Sequence, residues 1–379
     1  MVSRYTYLDH AATTPMRPEA VEAMLPFLSE QFANPSGSHR FAREARAAVD
    51  DAREMVAGVI GCEPGDVVFS GGGTESDNTA VLGAVARRGG AAVCPAVEHH
   101  AVLAAVEQVH GAVVPVSPVG TVDLDALAEA LLTTPDVAVV SVMTVNNEVG
   151  SVTDMAAVAA VVRRHAPGAL LHTDAVQAPC WVDLRTVMPH VDLLSLSAHK
   201  FGGPKGVGVS VIRPGASVAP LVVGGGQERE RRSGTHNVAG IVAMAEALRL
   251  TDAERSDEVV RLAALRNHLV DSLVEALPDV HETVPRGQKV AGSAHVCIDG
   301  IENEALLFLL DEAGVCASAA SACAAGAMEP SHVLAAMGVP RQRALGALRL
   351  TLGRTTTADD VEAGVAAVVA AVRRLRRSA

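Results

Sequence analysis

The chain has 379 residues, of which 49% are hydrophobic and only 2% aromatic, and its formal net charge is −12. That length suggests about two domains, or one large domain with a smaller appendage, around an aliphatic core. The acidic balance argues against direct nucleic-acid binding, which depends on Lys and Arg neutralising phosphates. No uncharged apolar run reaches membrane-spanning length and residues 1–7 lack the apolar core of a signal peptide, so no membrane contact and a cytoplasmic location are expected. Six cysteines are scattered without a Cys-x-x-Cys pair, which gives no reason to expect a disulfide framework or a metal site.

In chain order, residues 7–15 read as a short strand entering a polar turn, and a helix follows from Pro18 with Ala20, Met24 and Phe27 inward. Asn34-Pro35-Ser36-Gly37 is a loop by its turn chemistry. A helix is expected over 40–58, with Arg43, Glu44, Arg46, Asp50 and Asp51 solvated. Residues 66–70 form a strand that runs into Gly71-Gly72-Gly73-Thr74 and then a helix over 79–88. Glycines ahead of a helix N-terminus let backbone N–H groups close on an anion, so this turn reads as a phosphate cradle, with a plain strand-to-helix turn as the competing reading. It is neither a dinucleotide fingerprint nor a Walker loop.

Alternation continues with strands over 91–94, 112–116, 137–143 and 170–174, and helices over 98–109, 124–132 and 155–165. Residues 193–208 are an apolar strand ending in Ser197-Ala198-His199-Lys200, a glycine-rich turn and a second strand. A lysine directly after a buried strand is costly unless its charge is paired or removed. Forming an imine with a carbonyl cofactor removes it; the competing reading is a surface lysine at a strand end. Near-continuous apolar strands alternating with helices indicate an α/β fold with a mostly parallel sheet covered on both faces. Ligands bind such sheets in the crevice beyond the strands' C-terminal ends. That places Thr74, His99, Asn147, Asp174, Gln177, Ser197, His199 and Lys200 together.

Residues 224–237 form a polar, glycine-rich loop containing Thr235. Helices are expected over 238–248 and, with apolar residues at three- and four-residue spacing, over 257–277. The second marks entry into a smaller α+β C-terminal domain with strands over 294–298 and 347–352, helices over 304–313 and 330–337, and a last helix capped at Thr356 or Thr357. Between these, about 315–330, lies a run of small residues around Cys316 and Cys323. Its small residues offer little to bury a thiol, and exposure is what a reactive cysteine needs, so Cys323 is the candidate nucleophile.

Asn146-Asn147-Glu148-Val149-Gly150, His172-Thr173-Asp174-Ala175-Val176-Gln177, Ser197-Ala198-His199-Lys200, Arg232-Ser233-Gly234-Thr235 and Ser321-Ala322-Cys323 follow one another in this order. Together they resemble the cysteine desulfurases of the class V, fold-type-I pyridoxal-phosphate enzymes, in the long-loop NifS/IscS-like subgroup, over nearly the whole chain. The resemblance implies a large domain over 16–256 with a seven-stranded, mostly parallel sheet, and a small domain made of 1–15 and 257–379. It implies pyridoxal 5'-phosphate bound covalently by Lys200 and paired at its ring nitrogen with Asp174. His99 would stack on the ring, with Asn147 and Gln177 at the ring oxygen. Gly73, Thr74, Ser197 and His199 would hold the phosphate, and Thr235 would reach it from the other subunit of a homodimer. Arg349 would clamp the substrate carboxylate, with Asn34 and Asn147 on the substrate side. Lys200 would act as base and Cys323 would take sulfur from L-cysteine as a persulfide, leaving L-alanine. The sulfur would pass to an acceptor protein, an iron–sulfur scaffold or an enzyme of tRNA or cofactor thiolation. His10 departs from the asparagine usual there. A selenocysteine lyase or another C–S lyase of the same fold is the alternative within the class; a non-catalytic sulfur-relay protein is the alternative outside it.

Overall fold

The computed structural model describes residues 5–319 and 331–378. Seven strands form the central sheet in the order Val67–Ser70, Gly208–Ile212, Leu193–Ser197, Leu170–Asp174, Val137–Ser141, Ala91–Pro95, Ala112–Val114. The five strands from Leu193–Ser197 to Ala112–Val114 run parallel, and Gly208–Ile212 is antiparallel to both of its neighbours. The strands Val67–Ser70, Leu170–Asp174, Leu193–Ser197 and Gly208–Ile212 are buried at every position. This is the pattern their unbroken apolar runs require when helices cover both faces.

A second aliphatic core lies away from this sheet. It joins Leu8, Leu262, Leu269 and Leu273 to Val296, Leu306, Leu310, Leu348, Leu350, Val361 and Val368. Its sheet is antiparallel, with Ser293–Ile298 between Ala347–Thr351 and Val280–Glu282. Thr6–Tyr7 pairs in parallel with Val315–Cys316, so the N-terminal segment is stitched to this second core before it crosses to the large sheet. Among the described residues no helix is long and apolar enough to cross a membrane.

Two differences from the sequence reading have clear causes. The helices expected over 238–248 and 257–277 are one helix, Val238–Ala276, which runs unbroken past residue 256. The polar stretch between them is not a linker, because its charges are ion-paired: Glu254 with Arg17 at 2.8 Å, Asp252 with Arg185 and with Arg255, each at 2.8 Å. The helix expected from residue 79 starts at Gly73. Gly72 precedes it with φ of 144°, and a Cβ on Gly73 would sit 2.8 Å from Val176 Cγ2. The glycines therefore bring the helix start close against the neighbouring loop.

The loop 224–237 is held by a buried ion pair that the sequence did not announce. Arg53, on the helix Arg40–Ile60, donates to Glu228 from Nη1 and Nη2 at 2.8 and 2.7 Å. Phe69 N–H and His236 Nε2 bond the same carboxylate at 2.9 and 2.8 Å. Glu228, Arg229 and Glu230 have φ of 49°, 57° and 65°, a left-handed run that costs conformational energy and needs such an anchor. Burial alone would raise the Glu228 carboxyl, but the hydrogen bonds from Arg53 and His236 outweigh it and hold it down to about 2. Glu228→Ala strands a buried guanidinium and is expected to lose about 3–5 kcal/mol at pH 7, read as a lower urea midpoint. Because the folded value lies below the unfolded 4.5, this stabilisation is complete above pH 4.5 and is lost as pH falls toward 2. The variant's stability should therefore vary less with pH across that window; unchanged stability at pH 7 would refute the anchor.

Candidate active site

Beyond the C-terminal ends of the parallel strands lies a cavity of about 350 Å³. Its lining includes Gly73, Thr74, His99, Asn147, Asp174, Gln177, Ser197, His199, Lys200 and Arg349, together with Ala11, Ala12 and Asp77. Each strand delivers its last residue or the turn after it: Asp174 and Ser197 end their strands, and Lys200 closes the short turn Ala198–Lys200. The sequence reading thus brings ten of its candidates to one wall system.

Lys200 Nζ donates to the carbonyls of Ala11 and Ala12 at 2.6 and 2.8 Å. Burial and then the Arg349 charge lower its amine to about 8, against the attraction of Asp174 and Asp9. A free amine is therefore accessible near neutral pH. Asp174 is 6% exposed, and its Oδ1 accepts from Val176 N–H at 2.9 Å. Burial raises its carboxyl, while His99 and Lys200 pull it down. It makes no ion pair within 4 Å among the described residues, so a buried carboxylate stands ready for a cation brought by a ligand.

His99 caps the helix His100–Gln108, with Nδ1 accepting from Ala101 N–H at 3.1 Å. Burial holds its charged form down, and the neutral ring then carries its proton on Nε2. His199 Nδ1 pairs with Thr13 Oγ1 at 3.1 Å, and burial followed by Lys200 lowers it to about 4. Gln177 Nε2 donates to Ala11 O at 2.8 Å. Arg349, 5% exposed, donates to Asp9 Oδ1 at 2.7 Å and to Asn147 O at 2.9 Å. A planar guanidinium at a cavity wall is suited to bidentate capture of a carboxylate.

Two expected residues among the described ones are not at this cavity. Asn34 is exposed, and its Oδ1 is occupied by Ser36 N–H at 2.9 Å. Its Asn-Pro turn closes on itself rather than on the ligand space. Thr235 is exposed on the loop 224–237 and does not line the cavity of its own chain. Cys323 lies outside the described residues, as do Ser321 and Ala322.

The sequence reading also missed buried groups in the cavity wall and beneath it. His172 bridges Ser141 Oγ and Ser195 Oγ at 2.8 and 2.9 Å across three neighbouring strands, and burial lowers it to about 3, so it is neutral. Glu98 is fully buried, with Oε1 accepting from Met143 N–H at 2.6 Å; burial pushes its carboxyl well up. Asp77, 1% exposed, is raised by burial and then by the Asp174 charge. A signal existed for Asp77, which sits on the same helix face as Ala80, Val81 and Ala84. A charge on an inward stripe is unusual without a role.

The helix start at Gly73, with Thr74, Ser197 and His199 around it, lines one end of this cavity and could hold a phosphate dianion. With Asp174 and Lys200 on the same walls, the residues fit a pyridine aldehyde phosphate: an anion site, a carboxylate for a ring nitrogen and an amine for a carbonyl. Among the described residues no cluster of three His, Cys, Asp or Glu side chains is suited to a metal ion.

The description of the class-V aminotransferase family matches residues 6–363. The chain is 41% identical to the cysteine desulfurase IscS of Dictyoglomus turgidum, over 95% of this chain and 92% of that one. It is 42% identical to an IscS-like cysteine desulfurase of Mycobacterium tuberculosis, over 98% of each. Among solved structures, a NifS-like protein superposes with a TM-score of 0.91 at 33% identity, over 98% of this chain and all of that one. SspA in complex with cysteine superposes with a TM-score of 0.77 at 28% identity, over 91% of this chain and 98% of that one.

Proposed function

The chain belongs to the class-V aminotransferase family, among its cysteine desulfurases, and on that premise we propose that it binds pyridoxal 5'-phosphate in the cavity at Lys200 and moves the sulfur of L-cysteine onto its own Cys323. The single observation that carries this reading is the convergence of Asp174, Lys200, Arg349 and the glycine-led helix start on one cavity. The residues fall into the parts 16–256, carrying the cofactor, and 1–15 with 257–379, carrying the thiol.

Bound there, the cofactor supplies a carbonyl that takes up an amino group and a ring that withdraws electrons from the adjoining carbon. The chain's residues do the rest. The helix start, Thr74, Ser197 and His199 hold the phosphate, and Asp174 offers its carboxylate to the ring nitrogen. His99 covers the ring, and Gln177 and Asn147 orient it. Arg349 takes the substrate carboxylate, exchanging Asp9 for it. Lys200, its amine released near neutral pH, removes the Cα proton and returns a proton as product forms. The Cys323 thiolate attacks the substrate sulfur: an S–S bond forms and the C–S bond breaks. The electron pair leaves with carbon, which is protonated, so the products are alanine and a persulfide.

Thr235 is exposed on a loop pinned by Arg53 and Glu228, and Val21, Leu25, Leu28 and Phe32 leave an apolar face uncovered nearby in sequence to Asn34. Both support a homodimer in which Thr235 reaches the partner's phosphate. The persulfide would serve an acceptor protein, an iron–sulfur scaffold or a thiolation enzyme. The test is stoichiometry. Cofactor-loaded protein given L-cysteine and a thiol reductant should release alanine and sulfide in equal amounts. A sulfur-relay protein would release no alanine, and a selenocysteine lyase would turn over selenocysteine but not cysteine.

A further inference from the structure

A second cavity, of about 80 Å³, lies between the two aliphatic cores. It shares the wall formed by Ala11, Asn147, Gln177 and Lys200 with the cavity described above, but Arg349 is not on its lining. Its apolar walls come from both cores, Val145 and Phe201 from one, Leu262 and Leu352 from the other, with Trp181 packed against both. One water needs about 10–15 Å³ of such space, so roughly five to eight non-hydrogen atoms fit.

Three residues of this lining carry a buried polar side-chain atom without a hydrogen-bond partner: Arg17 Nε, Ser293 Oγ and His10 Nδ1. The residues are 5%, 3% and 6% exposed, so bulk water does not serve them. The Arg17 guanidinium is fixed from two sides, Nη1 donating to Glu254 Oε2 at 2.8 Å and Nη2 to Thr251 Oγ1 at 3.3 Å. Its Nε–H is left without an acceptor. Burial and then the Arg354 charge lower His10 to about 4, so the ring is neutral. Thr356 Oγ1 accepts from Gly353 N–H at 3.0 Å and has its own proton for His10 Nε2 at 3.4 Å. The ring hydrogen then sits on Nδ1. All three atoms are therefore donors, and an unpaired buried donor is costly.

The charges on the lining point the same way. Glu254 and Glu258 are already paired, with Arg17 and Arg261 at 2.8 and 2.7 Å, and Arg255 is paired with Asp252 at 2.8 Å. Arg354 is exposed and makes no ion pair within 4 Å among the described residues. No acid is left over for a cation, while donors and one guanidinium are left over for an anion. We propose that this cavity is a second ligand site, for a small monocarboxylate of about six non-hydrogen atoms whose hydrocarbon body lies against Trp181. Binding there needs neither the cofactor nor Cys323, so the inference stands apart from the proposed sulfur transfer.

Trp181 is the chain's single tryptophan, so its emission reports on this cavity directly. Cofactor-loaded enzyme is titrated with sodium butyrate against sodium chloride at equal ionic strength. Butyrate should change the emission saturably and raise Tm, with a Kd below about 10 mM, within what six non-hydrogen atoms can supply. Butyramide, of the same shape without the charge, should bind at least about tenfold more weakly, and propylammonium should not bind. Ser293→Ala and Arg17→Lys each remove one donor and should each weaken butyrate about tenfold. Arg17→Lys keeps a cation for Glu254, and Ser293→Ala keeps the test available if that variant folds poorly. Arg349→Ala should leave the Kd within about twofold; loss of the response there would put the acid on the substrate clamp and overturn the proposal. So would equal binding of butyramide, or an unchanged Kd in both donor variants. A flat emission and Tm up to about 100 mM butyrate would mean that the cavity holds water only.

Discussion

Lys200→Ala should abolish alanine formation, by at least about 10⁴-fold, and remove the visible absorbance of the protein-bound cofactor. In the proposed reaction the side chain has two tasks at one atom: attachment of the carbonyl and movement of the Cα proton. Alanine can do neither, and no other lysine lines the cavity. Lys200→Arg separates base from charge. Arginine keeps a cation beside Asp174 but does not lose its proton in the working range, so it should be as inactive as alanine. The apo protein gives an independent check. With burial and Arg349 lowering the amine to about 8, Lys200 is mostly protonated and unreactive below that pH and free above it. Cofactor uptake should therefore speed up as pH rises through about 8. An unchanged spectrum in Lys200→Ala would refute the assignment of this lysine.

Cys323→Ser is the second large effect. The variant should keep the cofactor absorbance while losing alanine and sulfide production from cysteine by at least about 10³-fold. Sulfur transfer breaks the C–S bond only if a nucleophile accepts the sulfur, and a serine hydroxyl stays protonated near neutral pH where a thiol supplies thiolate. In the proposed reaction Lys200 acts at the substrate carbon and Cys323 at the sulfur. Undiminished sulfide in Cys323→Ser, with the protein free of wild-type contamination, would remove persulfide formation at that residue.

The two variants also differ in what they leave intact. Exchange of the Cα hydrogen of L-alanine in deuterated water, which needs a base but no thiol, should survive in Cys323→Ser and vanish in Lys200→Ala. The pair of measurements thus assigns proton movement and sulfur movement to separate residues some distance apart in the chain.

Much of this site was legible in sequence because its signals are local. A buried strand needs only its own apolar run to declare itself, and the polar residue that ends it falls at the crevice by the topology of parallel sheets. Asp174 and Ser197 were placed by that rule, and Lys200 by standing directly after a buried strand. Gly73 was legible because a close approach of backbone to ligand leaves no room for a Cβ. The roles given to these residues came from the order of several motifs, not from any one of them.

What tertiary structure decided are the pairings between distant residues and the burial of charge. Arg53 and Glu228 are 175 positions apart, and on its own helix Arg53 reads like any exposed arginine. The polar stretch inside Val238–Ala276 reads as a break between helices until Arg17 and Arg185 arrive to pair with it. Asn34 carries the turn chemistry of a binding loop, yet only the folded chain shows it turned on itself. Periodicity and turn residues encode which side of an element is buried. They carry no information about which buried partner will meet it, because that depends on how the whole chain closes. So the sequence by itself determined the fold class, the enzyme class and most of the residues that line the cavity, and the tertiary structure alone determined the ion pairs that fix the loops and the contacts that hold Arg349 against Asp9 and Asn147.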